Sequence, residues 1–533
     1  MNTSPYNHKY HSLVAIGQVA SLLLAVISGA LMVTTAVSLF MGDTPKVVCG
    51  FLITLILTAI LSAIFYYVCR QRLGRRTLET SARDGFVSVG IGWLVVSVIA
   101  AVAFKLTIGI PWADAIFETS SGLTTTGATI LGDSALFEAP MGCVGEAEPS
   151  FGYGILFWRA MLNWLGGVGI VFFVLLLLPM LKLGQSKMLY NAEVPGLKTA
   201  ADQTTPHLAT SVWCVLGVYG GLTLAAILLY HIFGMTWFDA VCHAFSTIST
   251  GGFSPRADGL ASYNNRPALQ WIVVLFMFLS ACNFSLHIQR FTSLKEVYWK
   301  DEEFRVFFIV VLVAIGFVAM TLGLSKIPRE KLFLNGGAGV TFVSVEEYLR
   351  VAAFQVVTVL STTGFCNGNW ESWGISSVLL LLAILMVPCG CGGSTAGGMK
   401  WSRIVVLFKQ LSLEIRRCIS PRMVQDIRLN NERLDNGVVG KTLAFAALYF
   451  IITIVVAFVL SVIEPMASNV STAFGAALTS LSNVGPGFGA VNPAGNFAQF
   501  NAVSKLLLAL TMIVGRLELF TIIVLFLPST WKK

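Results

Sequence analysis

The chain carries a series of apolar runs that are each long enough to cross a lipid bilayer as a helix, and this limits it to few folds. The runs are Leu13–Phe40, Val47–Val68, Phe86–Leu106, Phe151–Leu181, Leu208–Phe233, Ala268–Ile288, Phe304–Leu324, Ile375–Pro388, Val438–Ile463 and Ala502–Leu527. Charged residues make up 12% of the 533, against roughly 25% in a soluble domain. A soluble enzyme of this length is therefore excluded, as is a disordered chain. The alternating pattern of a membrane β-barrel is absent. The first run is too long for a signal-peptide core and is followed at once by a second run, so it reads as an uncleaved helix.

Basic residues fix the orientation. The segment after the second run holds Arg70, Arg72, Arg75, Arg76 and Arg83. Lys182, Lys187 and Lys198 follow the fourth run, and Arg290, Lys295, Lys300 and Arg305 follow the sixth. The stretch from Lys400 to Lys441 holds nine basic residues, and the chain ends Lys532-Lys533. All fall on one side if the runs alternate. The opposite side has Asp133, Glu138, Glu146 and Glu148 with no Lys or Arg between Ile130 and Tyr153. The positive-inside rule then puts both termini in the cytoplasm of a multi-pass protein of the cytoplasmic membrane.

The outward segments repeat. Four of them hold a short amphipathic stretch that ends in a Thr/Ser/Asn-rich glycine turn. They contain Thr125-Thr126-Gly127, Ser249-Thr250-Gly251, Thr362-Thr363-Gly364 and Asn483-Val484-Gly485. Successive glycines are 124, 113 and 121 residues apart, so the unit is span, short helix, glycine turn, span. Pro111-Trp112-Ala113-Asp114 matches Thr236-Trp237-Phe238-Asp239, with a one-residue slip before the glycine. Asp114 and Asp239 read as N-caps of the short helices.

Non-helical backbone at membrane depth must line water or be buried in protein. Glycine allows close backbone approach, so four such turns about one axis would form a ring of carbonyl oxygens. Such a ring can replace the hydration shell of a cation, and the four helix C-termini would aim negative partial charge at it. The fold expected is an all-α polytopic membrane protein with four pseudo-symmetric helix–pore helix–helix units around a central pore, plus two extra N-terminal helices. The units are 84–207, 208–303, 304–437 and 438–533, after an N-terminal pair at 1–83.

Two further features stand out. Pro388–Gly398 holds five glycines (390, 392, 393, 397 and 398), with Ser394 and Thr395. Interior glycines each cost a helix roughly 1 kcal/mol, so this segment reads as a broken helix facing the aqueous path and occluding it beneath the filter. Arg516 lies deep in the last run, where a charge must face a cavity or a partner. Glu518 points elsewhere on that helix. Gly392, Gly393, Ser394, Thr395, Gly397, Gly398, Lys400 and Arg516 are thus the candidate gate. Cys389-Gly390-Cys391 has the wrong spacing for a metal knuckle or a redox pair, and no span supplies a Ser/His or paired-Asp arrangement. A cation-coupled transporter of another solute is the competing reading, but it needs a midplane carboxylate or inverted repeats.

With these residues in view, the sequence resembles the TrkH/KtrB/HKT superfamily of potassium transporters, and the TrkH branch within it. The resemblance extends over Trp164-Leu-Gly-Gly-Val-Gly169, Asn283-Phe-Ser-Leu-His287, Cys391-Gly-Gly-Ser-Thr-Ala-Gly-Gly-Met-Lys400 and Gly515-Arg-Leu-Glu-Leu-Phe520. It implies a potassium uptake protein without catalytic activity or cofactor, with potassium as its substrate and as the metal bound at the filter. It also implies a homodimer in the membrane and a cytosolic nucleotide-binding regulatory subunit of the TrkA type. Glycine at all four filter positions implies preference for potassium, and Arg516 is implied to face the pore as an electrostatic barrier.

Overall fold

A computed structural model describes residues 6–73, 82–131, 152–180, 208–293, 297–334, 343–421, 425–430 and 432–531. The acidic outer segment at 133–148, Lys182, Lys187 and Lys198 lie outside the described residues, as do Arg75, Arg76, Lys295, Arg422 and the terminal lysines. The architecture is helical. Helices α1 (Tyr6–Phe40) and α2 (Pro45–Leu73) pack as an antiparallel pair, joined through Ser21 and Ser62, whose hydroxyls each donate to the other's carbonyl. They lie against α3 (Ala82–Thr107), the first long helix of unit one.

Each unit then repeats one pattern. In unit one α3 leads to the short helix α4 (Trp112–Leu123) and then to α5 (Tyr153–Met180). In unit two α6 (Leu208–Ile232) and α7 (Trp237–Ile248) precede α8 (Pro267–Ala281) and α9 (Phe284–Ser293). Unit three has α10 (Glu302–Leu324), α11 (Val345–Leu360), α12 (Ser376–Leu385) and α13 (Trp401–Ile419). Unit four has α14 (Asn436–Ile463), α15 (Val470–Ser482), α16 (Ala502–Arg516) and α17 (Phe520–Phe526). The first helices of units two, three and four face outward, whereas α3 is covered by the N-terminal pair. Leu312, Val313 and Met320 on α10, and Ile454, Phe458 and Val462 on α14, are exposed as a lipid-facing surface requires. The short helices are buried almost throughout, so the polar loops at their ends sit at the centre of the protein rather than in lipid.

The expectation of unbroken second helices needs correction in units two and four. Six described helices are long and apolar enough to span a membrane, and α8 with α9 adds a seventh as a pair bent by 98°. That bend falls at Cys282–Asn283. Asn283 Oδ1 accepts from the Ser285 amide at 2.9 Å, and the Phe284 amide donates to the Gly393 carbonyl at 3.1 Å. In unit four the helix stops at Arg516 and restarts at Phe520, with Glu518 and Leu519 both at φ +55°. In unit three the break is the expected one. Two short parallel strands, β1 (Pro388–Cys389) and β2 (Met399–Lys400), close the base of a loop between α12 and α13.

Candidate ion pathway and gate

The four short helices end in the same hydrogen-bonded turn. Thr126, Gly251, Thr363 and Val484 each donate their amide to a carbonyl five residues back, on Ser121, Ser246, Thr358 and Thr479. This is the C-terminal cap in which one residue takes a left-handed conformation, a place normally held by glycine. Here it is held by Thr125, Thr250, Thr362 and Asn483, at φ +52°, +57°, +56° and +57°. A β-branched threonine in that region costs roughly 1–3 kcal/mol, and three of them recur at one symmetric position.

This geometry corrects the register in unit two. The glycines at positive φ two residues after the left-handed position are Gly127, Gly252, Gly364 and Gly485. Gly252, not Gly251, is therefore the counterpart of the other three, and Gly251 matches Thr126, Thr363 and Val484. The slip between Asp114 and Asp239 then disappears, because Gly127 and Gly252 follow Trp112 and Trp237 by the same interval.

The four glycines close a ring. A β-carbon on Gly127 would collide with the carbonyl oxygen of Gly251. One on Gly252 would collide with that of Thr363, one on Gly364 with that of Val484, and one on Gly485 with that of Thr126. Each unit thus abuts the next and the fourth returns to the first. Threonine hydroxyls stiffen the ring. Thr124 Oγ1 and Thr126 Oγ1 lie 2.7 Å apart, as do Ser361 Oγ and Thr363 Oγ1. Asn483 Nδ2 donates to Thr126 Oγ1 at 2.9 Å, which ties unit four to unit one, and also to the Met512 carbonyl at 2.9 Å.

The glycine loop of unit three lies against this ring, touches units two and four as well as its own, and is linked to unit one through Arg516. The Gly397 amide donates to Thr362 Oγ1 at 2.9 Å. Thr395 Oγ1 donates to the Ile248 carbonyl at 3.0 Å and to the Ser280 carbonyl at 3.2 Å. A side chain on Gly397 would meet Asn483 and the Ser482 carbonyl, and one on Gly398 would meet Cys389 Sγ. Ser394 Oγ closes the turn on the Cys391 carbonyl at 2.6 Å, and Lys400 Nζ donates to the Ala396 carbonyl. Gly393, at φ +75°, sits against the Asn283 side chain. Arg516 is buried beside the loop. Its Nη1 donates to the Thr395 carbonyl at 2.7 Å and its Nη2 to the Gly166 carbonyl of α5 at 2.9 Å. Glu518, inside the helix break, forms an ion pair with Arg403 on α13. The loop is held at Thr395 and at the start of α13 by two residues of the same broken helix.

The sequence from residue 49 to residue 533 matches the TrkH family, described as cation transport proteins. The Trk system potassium uptake protein TrkH of Salmonella typhimurium is 34% identical over 97% of this chain and 99% of its own length. Its Escherichia coli K12 counterpart is 33% identical over the same shares. The crystal structure of the potassium transporter TrkH from Vibrio parahaemolyticus superposes with a TM-score of 0.80 at 30% identity, covering 98% of this chain and all of that one.

This chain belongs to the TrkH family.

Several charged residues of this TrkH-family chain do work that sequence reasoning missed. Asp114 and Asp239 are not N-caps. Pro111 and Thr236 hold those positions, and the Thr236 hydroxyl accepts from the Asp239 amide at 3.1 Å. Both aspartates lie one turn into their helices and serve as buried counter-ions. Asp114 pairs with Lys505 of α16 at 2.5 Å, joining unit one to unit four. Asp239 takes Arg256 at 2.9 Å and the Tyr263 hydroxyl at 2.7 Å. Glu118 pairs with Arg159 at 2.7 Å and accepts from the Ile130 amide at 3.0 Å, just beyond the first ring turn. Arg159 also donates to the Ser254 carbonyl at 3.1 Å, beyond the second turn, and its guanidinium sits over the Phe253 ring. The signal was present, since Arg159 and Lys505 are charges inside apolar runs just as Arg516 is.

Proposed function

We propose that this chain takes up potassium across the cytoplasmic membrane through the ring of Thr126, Gly251, Thr363 and Val484 carbonyls, with both termini in the cytoplasm. The observation that carries the reading is the cyclic abutment of the four turns at Gly127, Gly252, Gly364 and Gly485. Four main-chain turns in a closed ring offer dipoles that stand in for water around a dehydrated alkali ion. The relatives' names support potassium as that ion. Units 84–207, 208–303, 304–437 and 438–533 each supply one turn.

The loop at 388–398 is the gate in this reading. Its contacts with units two, three and four just behind the ring, and the bond from Arg516 to Gly166 of unit one, support occlusion, and in this reading the Arg516 guanidinium puts a positive charge on the cation path. Opening requires the Arg516–Thr395 and Gly397–Thr362 bonds to break together. A homodimer is supported by α13, where Phe408, Leu411, Ile415 and Ile419 leave an uncovered apolar stripe for a second copy. The relatives are Trk system components, which supports regulation by a cytosolic nucleotide-binding subunit of the TrkA type acting on the basic segment after Lys400.

Rubidium uptake into proteoliposomes, with potassium, sodium and choline as competitors, tests the function. Potassium should compete strongly and choline not at all. Equal competition by sodium and potassium would overturn the potassium assignment.

A further inference from the structure

Three consecutive carboxylates open α10, and the gate reading leaves them unused. Glu303 is buried, and its Oε1 accepts two amides: Gly392 at 2.6 Å and Ser402 at 2.8 Å. Gly392 lies in the first half of the glycine loop and Ser402 in the first turn of α13 just after it, so one oxygen staples the loop to the helix that follows it. Asp301 caps the same helix through the Phe304 amide at 2.8 Å, and its other oxygen accepts from Asn430 Nδ2 at 2.8 Å. The Glu302 amide donates to Asn430 Oδ1 at 2.7 Å. The Glu302 carboxylate pairs with Lys409 at 2.5 Å, and Lys409 Nζ donates to the Arg428 carbonyl at 2.6 Å.

Asn430 follows β3 (Arg428–Leu429), which pairs antiparallel with β4 (Glu432–Arg433) in a cytoplasmic hairpin. It lies at φ +51°, which asparagine tolerates. The hairpin therefore grips the end of α10 from the aqueous side while Glu303 grips the loop from the buried side. No flexible segment intervenes, because Asp301, Glu302 and Glu303 are neighbours at a rigid helix start.

We propose that Glu303 is the positioning residue of the gate, and that the Asn430 hairpin holds it in place, so that displacement of the hairpin releases the loop. The proposal rests on reading residues 388–398 as the gate. It makes α10 a rigid link between a cytoplasmic input and the occluding segment.

Rubidium uptake by the full chain in proteoliposomes tests this, with Glu303→Ala, Glu303→Gln, Asn430→Gly and the Glu303→Ala/Asn430→Gly pair. Glycine at 430 keeps the left-handed turn and removes only the side chain. Glu303→Ala and Asn430→Gly should each raise basal uptake by roughly fivefold or more, a coupling of ordinary size. Glu303→Gln keeps an acceptor oxygen and should raise uptake less. The pair should exceed neither single change, and the preference for rubidium over sodium should stay constant, which a merely damaged fold would not preserve. Unchanged uptake in Asn430→Gly, or a pair whose effect is the product of the singles, would overturn the proposal. If Glu303→Ala does not fold, unchanged uptake in both Glu303→Gln and Asn430→Gly would also overturn it. A chain shortened within 391–397 separates the two readings. Raised uptake there alone rejects the Glu303 link and keeps the gate, whereas unchanged uptake there rejects the gate and the link with it.

Discussion

Gly252 stands so close to the Thr363 carbonyl that no side chain fits between them, whereas the obstacle beside the neighbouring Gly251 is the Asn163 side chain. The first contact is backbone on backbone at positive φ, and the second can be relieved. Gly252→Ala should cut rubidium uptake at least roughly tenfold, and no second change at a side chain should restore it, since the strain is in the main chain. Gly251→Ala should also cut uptake, but Asn163→Ala should restore much of it. Equal rescue of both in the same uptake assay would contradict the register.

Arg516 contributes two hydrogen bonds from a charged donor to carbonyls of Thr395 and Gly166. Bonds of this kind are each worth about 1.5–3 kcal/mol, and each 1.4 kcal/mol is a tenfold change in an equilibrium. Arg516→Ala should therefore raise the open fraction by roughly tenfold or more on that scale. Single-channel recording or rubidium flux would read it as increased basal transport. Arg516→Lys, with one point charge and no fork, should lie between the two.

Glu118 and Arg159 form a buried pair, 2.7 Å apart, that joins the backbone beyond the first ring turn to that beyond the second. Removing one partner leaves a buried charge without its counter-ion, at a cost of about 3–5 kcal/mol. Glu118→Ala should lower the thermal unfolding midpoint in detergent markedly. The Glu118→Ala/Arg159→Met double change should lower it by less than the sum of the singles.

Asp114→Asn should behave alike at the junction of units one and four, where Lys505 would keep its bond to the Ala498 carbonyl and lose its counter-ion. The expected result is a lower unfolding midpoint, partly recovered by Lys505→Met in the same chain.

The repeat was legible because four glycine turns need glycine for a physical reason, and in units one and two the Trp-x-Asp upstream recurs with them. Unit two misled because Gly251 and Gly252 are adjacent and the first directly follows a threonine, as Gly127 and Gly364 do, so that only backbone conformation tells them apart. The shared interval from Trp112 and Trp237 was the available clue. The break in unit three was legible from its glycines. Those at Asn283 and at Leu517–Leu519 were not, because no run of glycines and no proline marks them. Each is stabilised by a distant partner instead, the Gly393 carbonyl in one case and Arg403 in the other. The aspartates misled because capping preference is local, whereas the Lys505 and Arg256 partners are tertiary.

A dehydrated ion must sit within the carbonyl ring if the four turns are the filter. Crystals of the full chain grown in rubidium or thallium would place it by anomalous scattering. A peak enclosed by the carbonyls of Thr126, Gly251, Thr363 and Val484 is the predicted result. A peak elsewhere in the protein, with that ring empty at saturating ion, would contradict it.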